Sequence, residues 1–130
     1  MQRLTRLRRF AHAGLAAGAL LAALPCARAG GPAWLVPGGD AGRGAALIQS
    51  YGCAACHTVP GVEGADGNVG PPLTRFGERA YIAGVLRNRP DNLLHWLRDP
   101  QEVVPGNAMP DMGMNEQDAR DIAAYLYTLR

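Results

Sequence analysis

The pentapeptide Cys53-Ala54-Ala55-Cys56-His57 constrains this chain more than any other stretch. Two thiols three residues apart stand on one side of a helical turn, with an imidazole directly after them. Three chemistries compete for such a set. A thioredoxin-like redox pair calls for a βαβ context, and the sequence has none. A structural zinc site calls for four well placed ligands, and from residue 30 onward the chain offers only Cys53, Cys56, His57 and the remote His95. The third is covalent haem c attachment, for which C-x-x-C-H is the signature. Each thiol then adds to one vinyl group of the porphyrin, and His57 lies under the iron as its proximal ligand. A bare cysteine pair beside an incidental His is the residual alternative.

Composition points the same way. Residues 30–130 hold 15 Gly and 9 Pro, so nearly a quarter of that stretch breaks regular structure, close to the range of about 25–30% where disorder sets in. With few aromatic residues as well, a domain of about 100 residues builds only a thin core of its own. Something apolar has to fill it, and a haem would. The protein without haem, with Cys53 and Cys56 changed to Ala, is therefore expected to be largely unfolded.

Residues 1–29 read as a cleavable secretory signal. Arg3, Arg6, Arg8 and Arg9 form a positive start, Phe10 to Leu24 an apolar run, Pro25 a break, and Ala27-Arg28-Ala29 the small alternating residues that a signal peptidase accepts. The run is short against the roughly 20 apolar residues of a membrane span, which weighs against retention as an anchor. Cys26 raises acylation, but Pro25 before it fits poorly; Arg8-Arg9-Phe10 faintly resembles a twin-arginine signal. Haem attachment normally follows export of an unfolded chain, which favours general secretion. The expectation is a periplasmic or otherwise exported protein with no stable membrane span after cleavage.

Cleavage would also reverse the charge. The whole chain is +2, but five of its 13 basic residues lie in residues 1–29, leaving eight Arg against 11 acidic residues, or −3. The sequence contains no lysine. A nucleic-acid partner is disfavoured, since phosphate binding needs a basic face.

Along the chain, residues 30–39 read as an irregular arm and residues 40–130 as one domain. Asp40 can cap a first helix reaching about Tyr51, with Leu47, Ile48 and Tyr51 at helical spacing and Gly52 ending it. Residues 58–72 are a loop. The stretch from Leu73 to Leu86 is ambiguous, with a short helix expected around Arg79 to Val85. Asp91 caps a clearer helix with Leu93, Leu94, Trp96 and Leu97 on its apolar face, stopped by Pro100. Residues 101–114 form a second loop. Asn115 caps a last helix whose stripe is Ile122, Tyr125, Leu126 and Leu129, with Arg130 closing it. No segment alternates like a strand. The fold class is all-α, with three to five short helices and long loops.

Several of these stretches resemble one family. Gly52 to His57, Gly70 to Leu73, Pro90 to Gln101, Met109-Pro110 and Ala123 to Leu126 are similar to class I c-type cytochromes, and more narrowly to the haem domain fused to subunit II of some bacterial haem-copper oxidases. These 130 residues carry no counterpart of the copper-binding domain and membrane hairpin that precede that domain, which argues against a permanent place in an oxidase. The resemblance implies the cytochrome c fold around one covalent haem, with first and last helices crossing: Gly44 and Ile48 would meet Ile122 and Tyr125. It implies that the Pro71 carbonyl accepts from the His57 ring, although an ordinary rigid turn would also explain Gly70-Pro71-Pro72-Leu73. It implies a sixth ligand from the Val104 to Pro110 loop, with Met109 as the leading candidate and Met112 and Met114 as rivals; His95 is more simply an exposed side chain. Trp96 would either reach a haem propionate or pack in the core.

The function implied is electron transfer rather than catalysis. With His57 and Met109 bound, the iron has no open position, so oxygen and peroxide chemistry is suppressed and the potential is raised relative to two nitrogen ligands. The leading expectation is a soluble, monomeric carrier delivering electrons to a terminal oxidase. Alternatives are a cytochrome subunit of a periplasmic dehydrogenase complex and, from another class, a haem enzyme or gas sensor with five-coordinate iron.

Overall fold

The computed structural model describes residues 36–130; the signal expected at 1–29 and the first part of the arm lie outside the described residues. Four helices carry the architecture: α1 (Ala41–Ser50), α2 (Pro90–Arg98), α3 (Pro100–Val103) and α4 (Glu116–Leu126). Among the described residues no helix is long and apolar enough to cross a membrane.

Helix α1 begins where expected. The Asp40 carboxylate accepts from the N–H groups of Gly42 and Arg43 at 2.8 and 3.1 Å, partnering donors that the first helical turn leaves free. It ends at Gly52, whose φ of 70° turns the chain straight into a 3₁₀ turn at Cys53–Ala55. Asn115 caps α4 by accepting from Asp118 N–H at 2.9 Å.

Helices α1 and α4 cross at Gly44. A Cβ there would run into the Asp121 carbonyl group and stand 2.9 Å from Tyr125 Cβ, so the crossing requires glycine. Ile48 and Ile122 are buried in the core that both helices share. The pairing expected for the family is thus present, and Asp121 joins it. Its carboxylate is fully buried. One oxygen accepts from Asp40 N–H at 2.7 Å and from Gln117 Nε2 at 2.9 Å. The other stands 3.0 Å from Arg43 Nε without hydrogen-bond alignment. A buried charge is tolerable only with such partners. This one ties the start of α1 to the middle of α4.

The end of the arm also docks on α4. Val36 is 2% exposed, and Gln117 donates to the Gly38 carbonyl at 2.8 Å.

The described chain departs from expectation in four places. No helix forms at Arg79 to Val85. Instead, a 3₁₀ turn at Phe76–Glu78 leads into an antiparallel hairpin of β1 (Tyr81–Ile82) and β2 (Leu86–Arg87). The reversal takes Ala83 and Gly84 both to positive φ, 49° and 76°, a backbone that a helix cannot contain. With two residues per strand, the ladder leaves the fold class unchanged. Asp91 is not the cap of α2: the cap position falls on Arg89, with Pro90 as the first helical residue and Asp91 in the first turn. Pro100 ends α2 but also opens α3, because a fixed φ suits a first helical position. Arg130 does not close α4, which stops at Leu126.

Candidate functional site

The helices, the hairpin and the long loops enclose an apolar cavity of about 520 Å³. It is lined by Cys53, Cys56 and His57, by Met109 and Met112, and by the aliphatic side chains of Ile48, Leu93, Leu97, Ile122 and Leu126. Such a volume lies within the range of about 300–1,000 Å³ of small-molecule and cofactor sites.

On the Cys side the geometry is made by backbone. The 3₁₀ turn brings Cys56 N–H and His57 N–H onto the Cys53 carbonyl, at 3.1 and 2.9 Å. The loop after His57 then folds back. Gly70 N–H donates to the Cys56 carbonyl at 2.8 Å, Leu73 N–H to the Thr58 carbonyl at 2.8 Å, and Gly67 N–H to the Ala54 carbonyl at 3.2 Å. Gly70 lies directly against the imidazole: a Cβ there would clash with Cε1 and stand 2.7 Å from Nδ1. His57 Nδ1 is 2.7 Å from the Pro71 carbonyl oxygen. That oxygen can only accept, so Nδ1 carries the hydrogen and Nε2 is left with the free lone pair, the state a metal ligand requires. Arg79 steadies this wall by donating to the carbonyls of Pro72 and Thr74. Burial pushes the Cys53 thiol up from its ordinary range.

On the Met side the geometry is made by two side-chain amides. Gln101 donates to the carbonyls of Asn107 and Met109 at 3.0 and 2.7 Å and accepts from Gly106 N–H at 3.1 Å. Asn107 donates to the carbonyls of Pro100 and Val104 at 2.8 and 2.7 Å and accepts from Met109 N–H at 2.8 Å. The three methionines now separate. Met109 and Met112 line the cavity. Met114 is 6% exposed and packs in the core. His95 is exposed on α2, 3.4 Å from Glu102, and is not among the lining residues. Trp96 lines the cavity and is half-buried.

The mouth is apolar as well. Val69 and Tyr81 line the cavity yet remain 72% and 46% exposed, so the edge of any occupant there stays near solvent.

Sequence reasoning missed Arg79, Gln101 and Asn107. Asn107 had a local signal, since Asn commonly bonds the backbone N–H two residues on. Gln101 had none, because its partners lie five to eight residues away across a loop.

Comparison with known proteins agrees with this site. Cytochrome c oxidase subunit 2 of Alkalihalophilus pseudofirmus is 42% identical over 91 residues, covering 69% of this chain and 26% of that protein. The corresponding subunit of Bacillus subtilis is 35% identical over 87 residues, covering 65% and 24%. Cytochrome c2 iso-2 of Magnetospirillum molischianum is 32% identical over 92 residues, covering 60% of this chain and 91% of that protein. The chain thus spans about a quarter of the length of the oxidase subunits it matches. A family model for cytochrome c matches residues 41–130. Because that match starts with α1 and runs to Arg130, it takes in all the residues that line the cavity, and the chain belongs to the cytochrome c family as a class I c-type cytochrome.

Proposed function

We propose that this chain is an exported electron carrier with one haem c, attached through Cys53 and Cys56 and ligated by His57 and Met109, that donates to a terminal oxidase. Family membership makes it a haem electron-transfer protein. The finer reading rests on one observation: both cysteines, His57 and Met109 line a single apolar cavity, with the His57 ring turned to the Pro71 carbonyl. These residues fit the group, with two thiols for covalent attachment, an imidazole with Nε2 free and a thioether across an apolar space. When bound, haem supplies reversible one-electron exchange between Fe(III) and Fe(II) with no bond made or broken.

The chain's own residues make that exchange selective. Pro71 holds the His57 ring in one orientation and raises its basicity. Met109 would supply the thioether ligand opposite His57, which would close the iron to oxygen and raise the potential relative to a second nitrogen ligand. The aliphatic lining disfavours water, while Val69 and Tyr81 leave an exposed edge. The likeness to oxidase subunits supports a terminal oxidase as acceptor. A stable co-purifying dehydrogenase would count against free donation.

Optical spectra of the oxidised holoprotein test the ligand set. Met109→Ala is expected to lose the weak red-edge band of Met-ligated ferric haem and to bind carbon monoxide when reduced. Met112→Ala and Met114→Ala are expected to keep the band, the latter with a stability loss of about 2–5 kcal/mol because Met114 is core. Retention of the band in Met109→Ala would remove Met109 from the site.

A further inference from the structure

We propose that the Gln101 and Asn107 amides form a clamp that sets how readily Met109 leaves the sixth position, with Gln101 as a positioning residue; this rests on the ligand reading above. Met109 sits in a loop with Pro105, Gly106 and Pro110 close by, between α3 and α4. Its own N–H and carbonyl are both held by side chains, Asn107 on one and Gln101 on the other. Every oxygen and nitrogen of the two amides is used, on six backbone partners between Pro100 and Met109. The clamp is anchored on α3, since Gln101 is a residue of that helix and Asn107 reaches the Pro100 carbonyl that starts it.

Displacement of Met109 from iron requires the loop to move, and moving it breaks these bonds. A protein that loses the Gln101 donations populates the open loop about 10-fold more. An external ligand competing for the iron then binds about 10-fold more tightly, because its apparent affinity scales with the population of the open state. Gln101→Glu separates hydrogen bonding from space filling. It keeps an acceptor for Gly106 N–H but sets a carboxylate against the Asn107 and Met109 carbonyls, so at neutral pH it should loosen the loop more than Gln101→Ala does. Protonation in acid restores one donor and should bring it back toward wild type.

The test is imidazole binding to the oxidised holoprotein, read by loss of the red-edge Met band, with amide exchange measured by NMR on the same samples. Gln101→Ala should keep the band at rest, bind imidazole about 10-fold more tightly and exchange the Gly106 amide faster. Asn107→Ala should speed exchange at Met109, and Gln101→Glu, which opens the loop at neutral pH, should speed exchange at Gly106 as well. Gln117→Ala, which removes two hydrogen bonds donated by a side-chain amide on α4, controls for general loosening. Imidazole affinities within 2-fold of wild type in both Gln101 variants, or an equal rise in Gln117→Ala, would overturn the clamp. If Met109→Ala loses the band while the Gln101 variants behave as wild type, only the clamp fails; if Met109→Ala keeps the band, the ligand reading fails first.

Discussion

The two candidate ligand residues at the cavity, His57 and Met109, are held by opposite means. His57 is fixed by backbone: its neighbours bond carbonyl to N–H across the returning loop, and Gly70 presses on the ring because no side chain stands between them. Met109 is fixed by two side chains reaching from Gln101 and Asn107. Backbone bonds survive most substitutions, so the His wall is vulnerable where a glycine is required. Side-chain bonds disappear with one residue, so the Met wall can be loosened without rebuilding the loop. The lesson is that a protein can fix one candidate ligand residue through backbone and leave the other adjustable through side chains around the same cavity.

Three experiments bear on that contrast, beginning with removal of what the walls enclose. Cys53→Ala with Cys56→Ala should leave a largely unfolded chain, seen as loss of near-UV circular dichroism. A cavity of about 520 Å³ left without the proposed haem is too large a loss for a domain whose whole stability is about 5–15 kcal/mol. Native-like dichroism would mean that the walls stand by themselves. Next, one methyl group can be added to each wall. Gly70→Ala should cost about 1–3 kcal/mol in denaturant unfolding, because the new carbon overlaps His57. Gly106→Ala meets no atom within 4 Å and pays only for its φ of 77°, about 1–2 kcal/mol with the loop free to adjust. A larger cost at Gly106 would invert the comparison.

The smallest effect concerns the buttress of the His wall. Tyr127 donates to Asn88 at 2.9 Å and packs edge-on against Phe76, which lines the cavity. Burial first, and then the charge of Asp91, push the Tyr127 hydroxyl from 10.0 up to about 12. The folded state therefore keeps this proton more tightly than the unfolded state does. The stability it contributes is complete below pH 10 and declines as pH rises toward 12. Tyr127→Phe should flatten part of that decline in unfolding curves taken across the window. Only part is removed, because Tyr51, through its bond to Asp118, and Tyr125, through burial, shift the same way.

Much of the site was legible beforehand, and for a local reason. The C-x-x-C-H spacing, the Asp40 and Asn115 caps and the Gly52 stop all act within about four residues, so the chain's order displays them directly. Even the Pro71 carbonyl was anticipated, through likeness to a family motif. The central stretch was misread where two local preferences competed: Ala83 and Gly84 sit inside a stretch that also suits a helix, and the hairpin prevailed with Ile82 buried in the core. The three methionines could not be separated by sequence at all. Met109, Met112 and Met114 lie on one short stretch with equal chemistry, and only the folded chain puts two at the cavity and one in the core.

Taken by itself, the order of residues pointed to the cytochrome c family, to a helical fold, and to where its first and last helices begin. Tertiary structure decided how each proposed ligand residue is held. Gly70 against His57, Gly44 under Asp121 and Gln101 across the Met109 loop are contacts between residues 8 to 77 positions apart. Spacing of that kind leaves no mark in local pattern, because it arises only when the core brings distant backbone within bonding distance.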